Sequence, residues 1–142
     1  MKSPLFHLAF PVRDLRAAKK FYTALGCKAG RESKHSIIFN LAGHQIVAQL
    51  SAKRSEPQRG IYPRHFGLIF PKLGDWKRLL QRAKKKKLPF YQEAKVRFES
   101  SPVEHLTFFL EDPSRNLLEF KHYRASEAIF GRKKIKKVGD RG

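Results

Sequence analysis

Apolar and polar positions follow one order that is written twice along this chain. Residues 5–12 (LFHLAFPV) are a short apolar, aromatic run that predicts a buried strand. Asp14 follows, and its carboxylate suits the first-turn N–H groups of a helix. Leu15, Ala18, Tyr22 and Leu25 then recur at helical spacing, and Gly26 supplies the left-handed residue that ends such a helix. Three extended segments come next, about 27–33, 36–41 and 45–50, the last two joined by a turn at Ala42-Gly43-His44. Residues 51–63 are polar, carry Gly and Pro, and read as a linker.

The pattern then restarts. Residues 65–70 (HFGLIF) predict a second buried strand. Asp75 is expected to cap a helix that shows Trp76, Leu79, Leu80 and Ala83 on one face and stops before Pro89, near residue 87. Residues 90–98, 104–110 and 117–123 predict three more strands, with Asp112-Pro113-Ser114-Arg115-Asn116 as a turn. The order is strand, helix and three strands, repeated at an offset of 58 residues from His7 to His65. The expected fold is therefore α+β: two tandem βαβββ modules whose curved sheets face each other around a barrel-like cavity. One domain covers residues 1–124, with modules at about 4–52 and 63–124. Residues 125–142 form a basic C-terminal extension, a short helix at 125–130 followed by a mobile tail.

Composition narrows the class. A chain of 142 residues fits one domain, and 41% hydrophobic content excludes a disordered one. No apolar run is long enough to span a membrane, and the first ten residues lack a secretory core and cleavage site. The single cysteine, Cys27, excludes an internal disulfide framework and a multi-cysteine zinc site, so a cytoplasmic, reducing setting is expected. Cys27 itself reads as a small buried hydrophobe.

The formal net charge is +19. Nucleic acid is the partner such a charge suggests. The excess is concentrated, however: residues 72–87 hold eight basic residues and one acidic residue, and residues 131–142 hold six and one. The first run is one face of a helix and the second a tail. No nucleic-acid motif accompanies them, so a solvated surface is favoured over a nucleic-acid role.

Alternation along the strands locates candidate chemistry. His7 shares a face with Leu5 and Ala9, and His65 with Gly67 and Ile69, while the bulky neighbours Phe6, Leu8, Phe66 and Leu68 take the face under the helices. Gln49 and Glu119 occur late in the last strand of each module, each before an apolar residue, and read as a quasi-symmetric pair. If the concave faces meet, His7, Gln49, His65 and Glu119 converge. Two histidines and a carboxylate with open positions suit Fe(II), Mn(II) or a similar divalent ion. Gln45 and Val47 share the face of Gln49 and shape the pocket. His105 shares parity with Thr107 and Phe109, and faces the cavity as an acid/base or a rim hydrogen-bonding group. Lys121 shares a face with Glu119 and is available to an anionic substrate group. His35, His44 and His122 read as structural or surface residues.

The segments FHLAFPVRDLRAAKKFYTALG, RHFGLIF and FFLEDPSRNLLEFKHY resemble the vicinal oxygen chelate superfamily: glyoxalase I, fosfomycin- and bleomycin-resistance proteins, and extradiol ring-cleaving dioxygenases. The resemblance covers residues 4–124 and is nearest to small dioxygenase-like or glyoxalase-like members. It implies a metal held by His7, His65 and Glu119, with Gln49 at the fourth ligand position of the glyoxalases. It implies an oxidoreductase of the dioxygenase kind using Fe(II), with lactoylglutathione-lyase-like chemistry on Ni(II) or Zn(II), or binding alone, as alternatives. A small-molecule substrate and a homodimer are the implied partners, with the modules paired within one chain or across two. The sequence departs from the dioxygenase pattern at Phe109, where those enzymes carry a Tyr, and at Arg115, where a turn glycine is usual.

Overall fold

Asp14 opens the first helix as its position predicts: its Oδ1 accepts from the Ala17 N–H at 3.0 Å, a cap worth about 1 kcal/mol. The structure is a computed structural model and describes residues 2–52 and 58–139. The first module is β1 (His7–Val12), α1 (Leu15–Leu25), β2 (Lys28–Glu32), β3 (Ser36–Leu41) and β4 (His44–Leu50). The second is β5 (Phe66–Ile69), α2 (Leu73–Lys85), β6 (Phe90–Arg97), β7 (His105–Glu111) and β8 (Leu117–Tyr123). Each module makes one mixed four-stranded sheet, β1-β4-β3-β2 and β5-β8-β7-β6, and neither sheet closes on itself. β1 runs parallel to β4 and β5 parallel to β8, each connection passing through the module's helix and its two other strands.

Gly26 ends α1 in the left-handed region, with φ 118°. The second helix departs from expectation. It begins at Leu73 behind Lys72, two residues before Asp75, and Lys72 makes no side-chain cap. Asp75 instead sits in the first turn, where its charge complements the helix dipole, and pairs with Arg78. The helix ends at Lys85, and Lys87 turns the chain at φ 55° toward Pro89.

One core joins the modules. The helix-covered faces of both sheets and both helices contribute Phe10, Tyr22, Phe39, Ile46, Trp76, Phe108 and Phe120 to a single cluster. Burying each large apolar side chain contributes about 1.5–3 kcal/mol. Phe10 and Phe66 meet across the module boundary with ring centroids 5.2 Å apart. Polar bonds cross the same boundary. The Tyr22 hydroxyl donates to Asp112 at 2.7 Å, and Asn116 Nδ2 donates to the Pro11 carbonyl at 2.8 Å. Asp112 also accepts from the N–H groups of Ser114 and Asn116, which closes the turn and puts Arg115 at φ 67°.

Packing through the helix-covered faces leaves both open faces outside this core. The open face of the second sheet is covered from two sides. Ile61, with Tyr62 against it, packs on Phe109 and Leu117. From the other end come the 3₁₀ turn Ser126–Ala128 and the segment behind it. Over its described part the tail lies against the second sheet, with Lys137 over the Phe98 ring at 5.4 Å, a cation–π contact that lack of apolar periodicity does not reveal.

Candidate metal and substrate site

Glu119 is the centre of the site. It is buried on the open face of β8, 4% exposed, among groups that all favour its charge. Thr107 Oγ1 donates to Oε2 at 2.6 Å, and Arg97 Nη1 donates to the same oxygen at 3.3 Å. His65 Nε2 stands 3.1 Å from Oε1, and Lys121 Nζ 3.8 Å from it. Burial pushes the carboxyl pKa up, but the bonds from His65 and Thr107 and the charges of Lys121 and Arg97 outweigh it and hold the pKa at about 2. Of these cations the sequence placed only Lys121 on the face of Glu119. The carboxylate has cations on both sides.

His65 lies just before β5. Its Nδ1 is 2.7 Å from the Ile61 carbonyl, an acceptor only, so Nδ1 carries a proton, and Nε2 donates to Glu119 when the ring is protonated. The bond to Glu119 raises the His65 pKa above 6.5, against the opposing effect of burial. Phe109 packs edge-on to the His65 ring at 5.1 Å, and the Arg97 guanidinium lies over its ring at 5.6 Å. The phenylalanine that replaces a tyrosine thus holds an imidazole and a guanidinium in place.

His7 is not part of this cluster. It is exposed on the open face of the first sheet, with Nδ1 2.8 Å from Gln45 Oε1, its register partner on β4. Gln45, read as a pocket residue, orients His7 and leaves Nε2 outward. Among the described residues, no three of His, Cys, Asp and Glu gather as a metal-binding group. One chain therefore brings His65 and Glu119 together and keeps His7 apart.

The ladder corrects the pairing of Gln49 with Glu119. Glu119 lies across from Gly67, two residues after His65, and the equivalent position across from Ala9 is Val47. Gln49 lies across from Pro11 and corresponds to Lys121 opposite Ile69. It accepts from Ser36 Oγ at 2.6 Å. Counting to the next apolar residue misplaced it by one pleat period.

His105 is buried, its Nδ1 3.1 Å from the Val103 carbonyl and its Nε2 unpartnered. Burial lowers its pKa. Sequence reasoning missed Arg97. Its signal was present: Lys95 and Arg97 alternate onto the face of Thr107 and His105, but irregular pairing along β6 breaks a simple parity count.

The donors fit a divalent ion in part. Imidazole nitrogen and carboxylate oxygen are suitable ligands, and both imidazoles have Nδ1 anchored, which aims Nε2 of His65 at Glu119 and leaves Nε2 of His7 outward. The third donor is missing from the His65–Glu119 pair within one chain.

Residues 5–120 match the family model of the glyoxalase/bleomycin resistance protein/dioxygenase superfamily, and the chain belongs to that superfamily. A glyoxalase/bleomycin resistance protein/dioxygenase from Alicyclobacillus acidocaldarius is 44% identical, with a TM-score of 0.85 over 89% of this chain and 96% of that one. The fosfomycin resistance protein FosX from Listeria monocytogenes is 17% identical, with a TM-score of 0.68 over 90% of this chain and 99% of that one. A lactoylglutathione lyase from Agrobacterium tumefaciens is 16% identical, with a TM-score of 0.65 over 92% and 98%. The last two show the fold alone. No curated protein matches the chain. No helix among the described residues is long and apolar enough to cross a membrane.

Proposed function

We propose that the protein is a divalent-metal-dependent enzyme acting on a small substrate that chelates through two oxygens, in the manner of the ring-cleaving dioxygenases. His65 and Glu119 of one copy and His7 of a second copy form the ligand set of a homodimer. Fe(II) is the favoured ion, with Mn(II), Ni(II) and Zn(II) as alternatives. The carrying observation is that each module presents a histidine with Nδ1 anchored, His65 with Nε2 against Glu119 and His7 with Nε2 outward, on sheets whose open faces lie outside the common core. Leu5 and Phe6, beside His7, are 70% and 60% exposed, an apolar patch suited to a second copy.

A divalent ion held there supplies Lewis-acid stabilisation of substrate oxyanions. The chain's own residues do the rest. Thr107 and Arg97 occupy Oε2 of Glu119 and so direct Oε1 outward. Lys121 favours an anionic oxygen beside that carboxylate. Ile61, Phe109 and Leu117 keep water from its flank. Val47 at the register equivalent of Glu119 supports three protein ligands over the four of the glyoxalase-type reading. The single cysteine, Cys27, is a buried free thiol whose pKa burial raises to about 12, and a chain with no cysteine pair fits a reducing, cytoplasmic setting.

The test is metal content after anaerobic loading with Fe(II). Wild type is expected to bind, and His7→Ala and Glu119→Ala each to lose binding. Coexpressing the two variants restores it in mixed dimers, because one site then regains all three ligands. No restoration overturns pairing across two copies. A wild type that stays metal-free overturns the enzyme reading in favour of a binding protein.

A further inference from the structure

A cavity of about 490 Å³ lies between the open face of the second sheet and the C-terminal segment, within the range of small-molecule sites. Phe98, Val103, His105, Lys121 and Tyr123 form its floor, and residues 128–139 form its roof. Neither His65 nor Glu119 lines it.

Three features define what it accepts. The first is a buried acceptor. His105 is 4% exposed, its Nδ1–H is spent on Val103, and its Nε2 lone pair has no hydrogen-bond partner. The rings of Tyr123 and Phe98, at 4.7 and 5.9 Å, fix the imidazole, so it does not turn away to find one. A donor inside the cavity would recover the cost of that unpaired atom. The second is charge: five cationic residues line the cavity, Lys121 and four from residues 132–137, and no Asp or Glu among the described residues does. The third is flat apolar surface, from Phe98 and Tyr123 below and Ile129 and Ile135 above.

We propose that this cavity binds a small hydroxylated aromatic carboxylate. Its ring lies against Phe98 and Tyr123, its carboxylate among the lysines, and its hydroxyl donates to His105 Nε2. An inorganic anion satisfies the charge alone, and an uncharged phenol leaves the lysines without a counter-ion. The basic extension, legible in the sequence as a solvated tail, is on this reading the roof of a ligand site.

The test uses the full chain stripped of metal, so that its outcome does not depend on metal binding at His65 and Glu119, although Lys121 borders both sites. The protein is titrated with 4-hydroxybenzoate and with benzoate at low salt, by calorimetry. The hydroxylated ligand is expected to bind about tenfold more tightly, the worth of one hydrogen bond to a buried acceptor. His105→Phe is expected to cancel that preference and keep benzoate binding. Ile135→Trp, which fills the cavity from the roof, is expected to weaken both. Equal affinities in the wild type, or no binding of either ligand at millimolar concentration, overturn the proposal. If His105→Phe fails to fold by circular dichroism, Ile135→Trp decides the location: unchanged binding of both ligands overturns it.

Discussion

Gly67 stands directly across the sheet from Glu119, and a Cβ at Gly67 would overlap the Glu119 carbonyl. β5 and β8 approach so closely there that the carboxylate keeps its place only while residue 67 lacks a side chain. Gly67→Ala is expected to destabilise the protein by about 1–3 kcal/mol, since backbone must shift. Gly74, on α2, has only the tip of Arg78 near its Cβ position, at 3.8 Å. Gly74→Ala is expected to stabilise by up to about 1 kcal/mol, through helix propensity. Urea midpoints of the two variants should move in opposite directions.

Acid should act through Glu119. Its pKa in the folded chain is about 2, below its ordinary value of 4.5, so its contribution is present above 4.5 and lost as pH falls toward 2. The loss should be on the order of 2–3 kcal/mol. Glu119→Gln is expected to start less stable and to stay flat across that window. His65 works in the opposite sense. Its pKa is raised, so its contribution is complete below 6.5 and fades as pH climbs through the raised value. Urea denaturation of wild type and Glu119→Gln at stepped pH checks the sign.

How the site was legible follows from these residues. That His65 and Glu119 share the open face was readable because strand parity and the spacing of the two modules depend only on local pattern. Gln49 was misplaced because register is set by the facing strand, and a shift of one pleat period moves a side chain two positions along the ladder without changing its face. Arg97 was hidden because a basic residue on a strand reads as solvated until a buried carboxylate is known to face it. The order of elements along the chain, both helices and the Asp112–Asn116 turn were legible, since each rests on a breaker, an apolar period or a short apolar run, although the start of the second helix was not. The separation of His7 from His65 was not, because symmetry of sequence does not say which faces of the two modules join.

Tyr22 and Asp112 should show strong coupling. Tyr22 is fully buried and its hydroxyl bonds a buried carboxylate, with burial and then Asp112 raising its pKa well above 10. Tyr22→Phe is expected to cost about 1–2 kcal/mol and Asp112→Ala more, because the latter also frees the turn held by Ser114 and Asn116. A double-mutant cycle is expected to return at least about 1 kcal/mol of interaction.

Removing residues 131–142 should leave the far-UV circular dichroism spectrum intact, because neither core cluster draws on them. Amide exchange on β7 and β8 near His105 and Tyr123 is expected to quicken as the cover is lost. Retention on a nucleic-acid column should also fall, since six basic residues go with one acidic residue.

The bond from Tyr22 to Asp112 spans 90 residues of sequence. During synthesis the first module emerges from the ribosome well ahead of the carboxylate that its buried hydroxyl requires. A nascent chain stopped before Asp112 holds both helices and β1–β7, Phe66 included, yet the Tyr22 hydroxyl at the centre of the core still lacks its acceptor. Domains ordinarily fold in the order in which they are made. Here contacts of the earlier half are completed only by the later one, so the two modules are expected to reach the native state together rather than in turn.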